Sequence, residues 1–118
     1  MIKLHGMGLS NYYNMLKLAM MEKGIAFEEV KAAPSQAADF KTKSPMGKVP
    51  CLETPEGFLS ETSVALEYLD ALKPEHALLP ADLYSRAKVL ELMKAMELYI
   101  ELPARRHYGE IFFGGERN

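Results

Sequence analysis

The chain has 118 residues, of which 14 are basic and 16 acidic, for a formal net charge of −2; apolar residues make up 48% and charged residues 25%. This is the balance of an ordinary globular protein, with too little positive charge to capture nucleic acid or an anionic membrane. No apolar run approaches the roughly 20 residues of a bilayer span, and a single cysteine excludes an internal disulfide scaffold. With no signal-peptide core at its start, the chain is expected in the cytoplasm.

Residues 2–5 alternate apolar and polar side chains, the pattern of a half-buried strand. Gly6 and Gly8 open a loop, and residues 10–23, rich in Leu, Met and Ala, predict a helix capped by Gly24. Residues 26–30 form a second strand, so the opening third is a βαβ unit with parallel strands. Residues 33–47 are irregular, with a weak helical stretch at 37–43. Residues 49–53 and 57–60 are short strands joined by the turn Pro55, Glu56, Gly57, and residues 62–72 are a helix that Pro74 closes. The order βαβ, irregular helix, ββα describes a four-stranded mixed sheet with helices on its faces, an α/β fold of thioredoxin-like layout. Residues 74–81 read as a linker, and Asp82 caps a further helix expected to stop near Leu102, ahead of Pro103.

Three places carry chemistry. Pro50 sits at the start of the third strand, where a proline forfeits a ladder hydrogen bond. Either a cis Val49–Pro50 bond, which would turn the Val49 backbone toward a peptide-like ligand, or a trans proline on an edge strand accommodates it. Ser60, Glu61 and Thr62 stand where a strand meets a helix. Helix amides bind a carboxylate, Thr62 adds a hydroxyl and Glu61 would hold an ammonium, together gripping an α-amino-acid head group, although plain helix capping uses the same residues. Ser10, at the start of the first helix, is either a simple N-cap or a hydroxyl that stabilises a thiolate. Cys51 follows Pro50 and is expected to be buried and inert. His5, His76 and His107 have no metal-ligand spacing with Cys51, so no metal site is expected.

The order and spacing of these blocks resemble a known family. Leu9 and Ser10 through Met21, Glu22, Lys23 and Gly24; Phe40 through Ser44, Pro45, Met46, Gly47, Lys48, Val49 and Pro50; and Leu59, Ser60, Glu61 and Thr62 through Leu66, Glu67, Tyr68 and Leu69 resemble the N-terminal domain of cytosolic glutathione transferases of the bacterial, serine-like type. The resemblance implies a thioredoxin-like glutathione-binding domain at residues 1–78. Residues 79–118 would be the linker and first helix of an incomplete C-terminal helical domain, so the 118-residue chain is expected to be a truncated or partial form of a longer protein. It implies that glutathione is the co-substrate. Val49, before the cis-Pro50, would pair with its cysteinyl backbone, Glu61 and Thr62 would hold its γ-glutamyl group, and Lys48 would lie near the tripeptide. Ser10 aligns with the catalytic serine that donates to the glutathione thiolate.

The match has departures. Asn11 and Tyr12 stand where many relatives have Pro-Asn, Asn14 and Met15 replace a positively charged pair, and His5 stands where tyrosine-type relatives have Tyr. Tyr12 is therefore the alternative thiol activator, while Tyr13 is expected to pack in the core. The implied activity is conjugation of the glutathione thiolate to electrophilic small molecules by a homodimer in detoxification. The competing readings are a glutathione-dependent isomerase and a non-catalytic interaction module that shares the fold.

Overall fold

Residues 1–114 are described by a computed structural model, which divides into two compact units, Met1–Leu78 and a second from Leu79 onward. The first unit holds β1 (Ile2–Gly6), α1 (Asn11–Lys23), β2 (Phe27–Lys31), α2 (Ala38–Lys41), β3 (Cys51–Thr54), β4 (Gly57–Ser60) and α3 (Thr62–Leu72), followed by a 3₁₀ turn at Pro74–His76. The four strands form one sheet in the order β2-β1-β3-β4. β1 and β2 are parallel, while β3 runs antiparallel to both β1 and β4.

Local chemistry explains the element ends. The Ser10 hydroxyl accepts the amide of Tyr13 at 3.2 Å and so caps α1. Gly24 ends the helix at φ 68°, a left-handed conformation that glycine adopts without a Cβ penalty, and its amide satisfies the last carbonyls. In the β3–β4 hairpin, the Thr54 hydroxyl donates to the Gly57 carbonyl and accepts the amides of Glu56 and Gly57, which closes the turn. α2 spans only four residues, shorter than the expected 37–43 stretch.

The core lies on one face of the sheet. Ile2 and Leu4 of β1 and Leu52 of β3 point toward α1 and α3, which contribute Tyr13, Leu16, Met20, Ala65 and Leu69. Alternation along a strand sends His5, Cys51 and Glu53 to the other face. Cys51 is buried there, outside the main cluster.

The second unit contains α4 (Leu83–Met96), a π-helical turn at Glu97–Glu101, α5 (Leu102–Arg105) and α6 (Tyr108–Phe113). Asp82 caps α4 by accepting the Ser85 amide at 2.9 Å, which holds the Asp82 carboxyl below its ordinary range. The expected stop at Leu102 does not occur: helical backbone continues through Pro103 to Arg105. Proline lacks an N–H and its ring crowds the carbonyl four residues back. Here the preceding turn has already widened, with the Leu102 amide donating to Glu97, five residues back. Pro103 then occupies the opening turn of α5, where a missing donor costs little. An Arg105–Glu101 ion pair at 3.1 Å spans the junction. Among the described residues no helix is long and apolar enough to cross a membrane.

Candidate functional site

The strand register brings the three chemistry-bearing segments to one end of the sheet. His5 pairs with Cys51 across β1 and β3, and Cys51 pairs with Ser60 across β3 and β4, so these residues form a single row. Just beyond that row the chain leaves β1 toward Ser10, enters β3 from Val49 and Pro50, and leaves β4 into Glu61 and Thr62. The N-termini of α1 and α3 open at this same end, because each helix follows a strand that finishes there. The exposed amides and partial positive charge of two helix starts therefore face one region, which favours an anionic ligand.

Within this frame Ser10 and Tyr12 are half-buried, Lys48 is exposed, Val49 is half-buried and Pro50 is buried. The Val49–Pro50 peptide bond is cis. Val49 lies outside the ladder, which ends at Cys51. Ser10 accepts from Tyr13, a role that occupies one lone pair and leaves its O–H as a donor. The Tyr12 hydroxyl oxygen is withdrawn from solvent.

Glu61 holds φ 72° and ψ 115°, a region costly for a residue with a Cβ, on the order of 1–3 kcal/mol. It is exposed and its side chain makes no capping bond to α3. Its conformation turns the chain sharply from β4 into the helix, and its carbonyl accepts the Ala65 amide at 3.1 Å. Thr62 is the first residue of α3 and half-buried.

Several supporting residues have partners that the sequence does not reveal. Asn14 donates to the Gly8 carbonyl at 3.0 Å and so pins the loop that leads to Ser10. His5 is buried and its Nε2 lies 2.8 Å from Oε1 of Glu53, with the Phe58 ring edge-on at 5.6 Å. Its side chain is thus committed to the far face of the sheet. Ser44 is fully buried and bonds both backbone groups of Lys48. These partners lie across strands or turns, so the local sequence does not mark them.

The other titratable groups are set by their surroundings. Burial pushes the Cys51 thiol up from its ordinary value, against the opposing charge of Lys43. Tyr13 is buried in the core cluster, and its hydroxyl donates to Glu29 at 2.5 Å. Among the described residues no group of three His, Cys, Asp or Glu side chains is arranged to hold a metal ion.

Comparison with known proteins agrees with this architecture. Residues 4–77 match the family described as "Glutathione S-transferase, N-terminal domain". A glutathione S-transferase of Pseudomonas putida is 60% identical over 114 residues, covering 97% of this chain and 52% of that protein. Glutathione S-transferase omega-2 of Mus musculus is 32% identical over 104 residues, covering 86% of this chain and 41% of that protein. Among solved structures, a glutathione transferase homologue from Sulfitobacter with bound glutathione shares the fold at TM-score 0.79 and 20% identity, over 97% of this chain and 55% of the other. A holo maleyl pyruvate isomerase, a bacterial zeta-class transferase, superposes at TM-score 0.79 and 27% identity, over 97% and 57% of the two chains. The chain spans about half the length of the curated relatives it matches. By its family match and its relatives, the chain belongs to the glutathione S-transferase family, and residues 4–77 are that family's N-terminal domain.

Proposed function

We propose that this chain carries the glutathione-binding half of a glutathione transferase. The observation that supports this best is the convergence of Ser10, the Val49–Pro50 segment and Glu61–Thr62 at one sheet end, where two helix N-termini open. In this reading the Val49 backbone pairs with the cysteinyl part of the tripeptide. The Glu61 carboxylate takes the γ-glutamyl ammonium, and the first amides of α3 with the Thr62 hydroxyl take the neighbouring carboxylate. The exposed Lys48 side chain lies beside the tripeptide.

Ser10 activates the thiol in this proposal. Its hydroxyl keeps the O–H free to donate to sulfur while its oxygen caps α1. A donor to the anion but not to the neutral thiol lowers the thiol pKa, and a reduction of ~2 units requires about 2.7 kcal/mol of preferential stabilisation. A charge-assisted bond supplies about 1.5–3 kcal/mol, and the α1 N-terminus adds to it. The thiol proton leaves to solvent, and the thiolate forms a C–S bond with an electrophilic carbon of a small molecule, in a cytoplasmic homodimer that serves detoxification. It either expels a leaving group that departs with the bonding pair or adds to an activated double bond whose carbanion then takes a proton from water.

The test is calorimetric titration with glutathione, combined with thiolate absorbance of the bound ligand. Binding is expected in the micromolar to millimolar range, with the bound thiol pKa below the roughly 8.5 of a free thiol. Ser10→Ala is expected to raise that pKa and Tyr12→Phe to leave it unchanged. Absence of heat and of thermal stabilisation at several millimolar glutathione would refute the reading.

A further inference from the structure

Ser44 sits at the head of the turn that delivers the Val49–Pro50 segment, and every polar group it has is used. Its amide donates to the Phe40 carbonyl at 3.0 Å, and its carbonyl accepts the Gly47 amide at 2.8 Å. Its hydroxyl donates to the Lys48 carbonyl at 2.7 Å and accepts the Lys48 amide at 3.2 Å. The side chain is shielded from water, with the residue only 1% exposed. A buried hydroxyl that satisfies both main-chain groups of one residue holds that peptide unit in a single orientation.

The turn is tied down from its other side as well. The Ser35 amide donates to the Gly47 carbonyl at 2.8 Å, and the Gln36 side chain donates to the Met46 carbonyl at 3.2 Å. Gly47 has φ 69°, and a Cβ there would lie 2.3 Å from the Ser35 carbonyl oxygen. The turn therefore has little room to shift, and Lys48 leaves it with both backbone groups spoken for.

From this geometry we propose that Ser44 is a positioning residue that sets the register of glutathione on the chain, by withholding the Lys48 backbone so that pairing starts at Val49. The proposal rests on the glutathione-binding reading above. Strand-like pairing between a peptide ligand and a protein edge can slip by one residue, which turns every side chain to the opposite face. With the Lys48 amide and carbonyl closed within the turn, Val49 becomes the first residue able to pair, and its neighbour Pro50 has no amide to offer. Ser44 thus acts on ligand alignment through Lys48 and touches no ligand atom.

The experiment uses the whole chain with glutathione as the probe, comparing the parent with Ser44→Ala, Ser44→Cys and Ser44→Thr. Cysteine fills nearly the same space but bonds weakly, whereas threonine keeps the hydroxyl. Loss of the clamp is expected to raise the glutathione dissociation constant about tenfold, the effect of one hydrogen bond, in Ser44→Ala and Ser44→Cys. Ser44→Thr is expected to bind within about twofold of the parent, because its hydroxyl restores the clamp. The bound thiol pKa, set at Ser10, is expected to rise toward the free value in Ser44→Ala and Ser44→Cys, because a slipped register carries the thiol away from Ser10, and to match the parent in Ser44→Thr. If Ser44→Ala does not fold, the Ser44→Cys and Ser44→Thr pair carries the comparison. A merely structural serine would lower the unfolding midpoint and leave the dissociation constant of the folded protein unchanged, and that result overturns the proposal. A parent chain that binds no glutathione overturns the parent reading and this one with it; a parent that binds while Ser44→Cys binds equally well overturns this one alone.

Discussion

Tyr13 lies in the core cluster while its hydroxyl reaches Glu29 on the edge strand β2, and Lys17 holds the same carboxylate at 3.0 Å. Burial first, then the hydrogen bond to Glu29 and the nearby negative charge, push the phenol from 10.0 up to about 12. The fold holds the neutral phenol, so the stability from this contact is complete below 10.0 and is lost as pH climbs toward 12. Tyr13→Phe is expected to be less stable than the parent by about 1 kcal/mol near neutral pH, the net value of a typical hydrogen bond. Between the two pKa values the difference is expected to shrink, because the unfolded parent releases its phenol proton there while the folded parent must keep it. Paired denaturant unfolding curves across that alkaline range check this, and a difference that stays constant refutes it. The core position of Tyr13 is legible in the helical pattern, but its partner is not. Glu29 is 16 residues away on another element, and nothing in the local sequence marks it. His5 and Glu53 are hidden for the same reason: their separation of 48 residues is closed only by the β1–β3 register.

At the scale of elements, a buried ion pair ties α1 to the end of α3. Lys23 Nζ lies 2.9 Å from Asp70 Oδ1, with its side chain fully excluded from solvent. The same ammonium donates to the carbonyls of Lys73 at 2.8 Å and His76 at 2.6 Å, while the Asp70 carboxylate accepts the Leu78 amide at 2.7 Å. These bonds seal the last turn of α3 and the 3₁₀ turn after it, where the orphan carbonyls of a helix end would otherwise be desolvated. Removal of either charge breaks the buried ion pair, so Asp70→Ala and Lys23→Met are each expected to cost about 3–5 kcal/mol of unfolding free energy. A buried pair replaced by apolar residues is often neutral, but here the carbonyls of residues 73 and 76 would lose their donor. The double variant Lys23→Met with Asp70→Leu is therefore expected to recover only part of the loss. Equilibrium unfolding of the three variants tests the network, and full recovery in the double variant would show that those carbonyls find solvent unaided. α1 itself is readable from its ends, since Ser10 and Gly24 bracket a run without glycine or proline. The π-helical turn before Pro103 is not readable. A proline in a helical pattern signals a stop, and only the surrounding backbone shows whether a wider turn absorbs it.

At the scale of the whole molecule, the two units differ in what holds them. The core cluster of the first runs from Ile2 to Leu69, all within Met1–Leu78, and Lys23, Asp70 and the two carbonyls that Lys23 binds lie within the same limits. Of the second unit's residues with described burial, none is buried, and Leu83, Tyr84, Tyr99 and Ile100 are each at least 65% exposed. The element order that builds the first unit and brings the site segments to one sheet end follows from strand and helix patterns, and so is legible in the sequence. Whether the second unit encloses a core depends on which apolar faces meet, which helical periodicity alone does not record. Its longest regular helix has 14 residues, near the roughly 12–15 at which an isolated helix is marginal in water. A fragment of residues 1–78 is therefore expected to unfold cooperatively and to bind glutathione in calorimetric titration, since the core cluster and every residue proposed to hold the tripeptide lie within it. A peptide of residues 79–118 is expected to show low helicity alone, because little burial opposes its conformational entropy. Thermal melts followed by circular dichroism measure both. A fragment of residues 1–78 that melts without cooperativity would show that the sheet and its helices depend on the second unit for stability, and a strongly helical peptide would show that the second unit stands without a core.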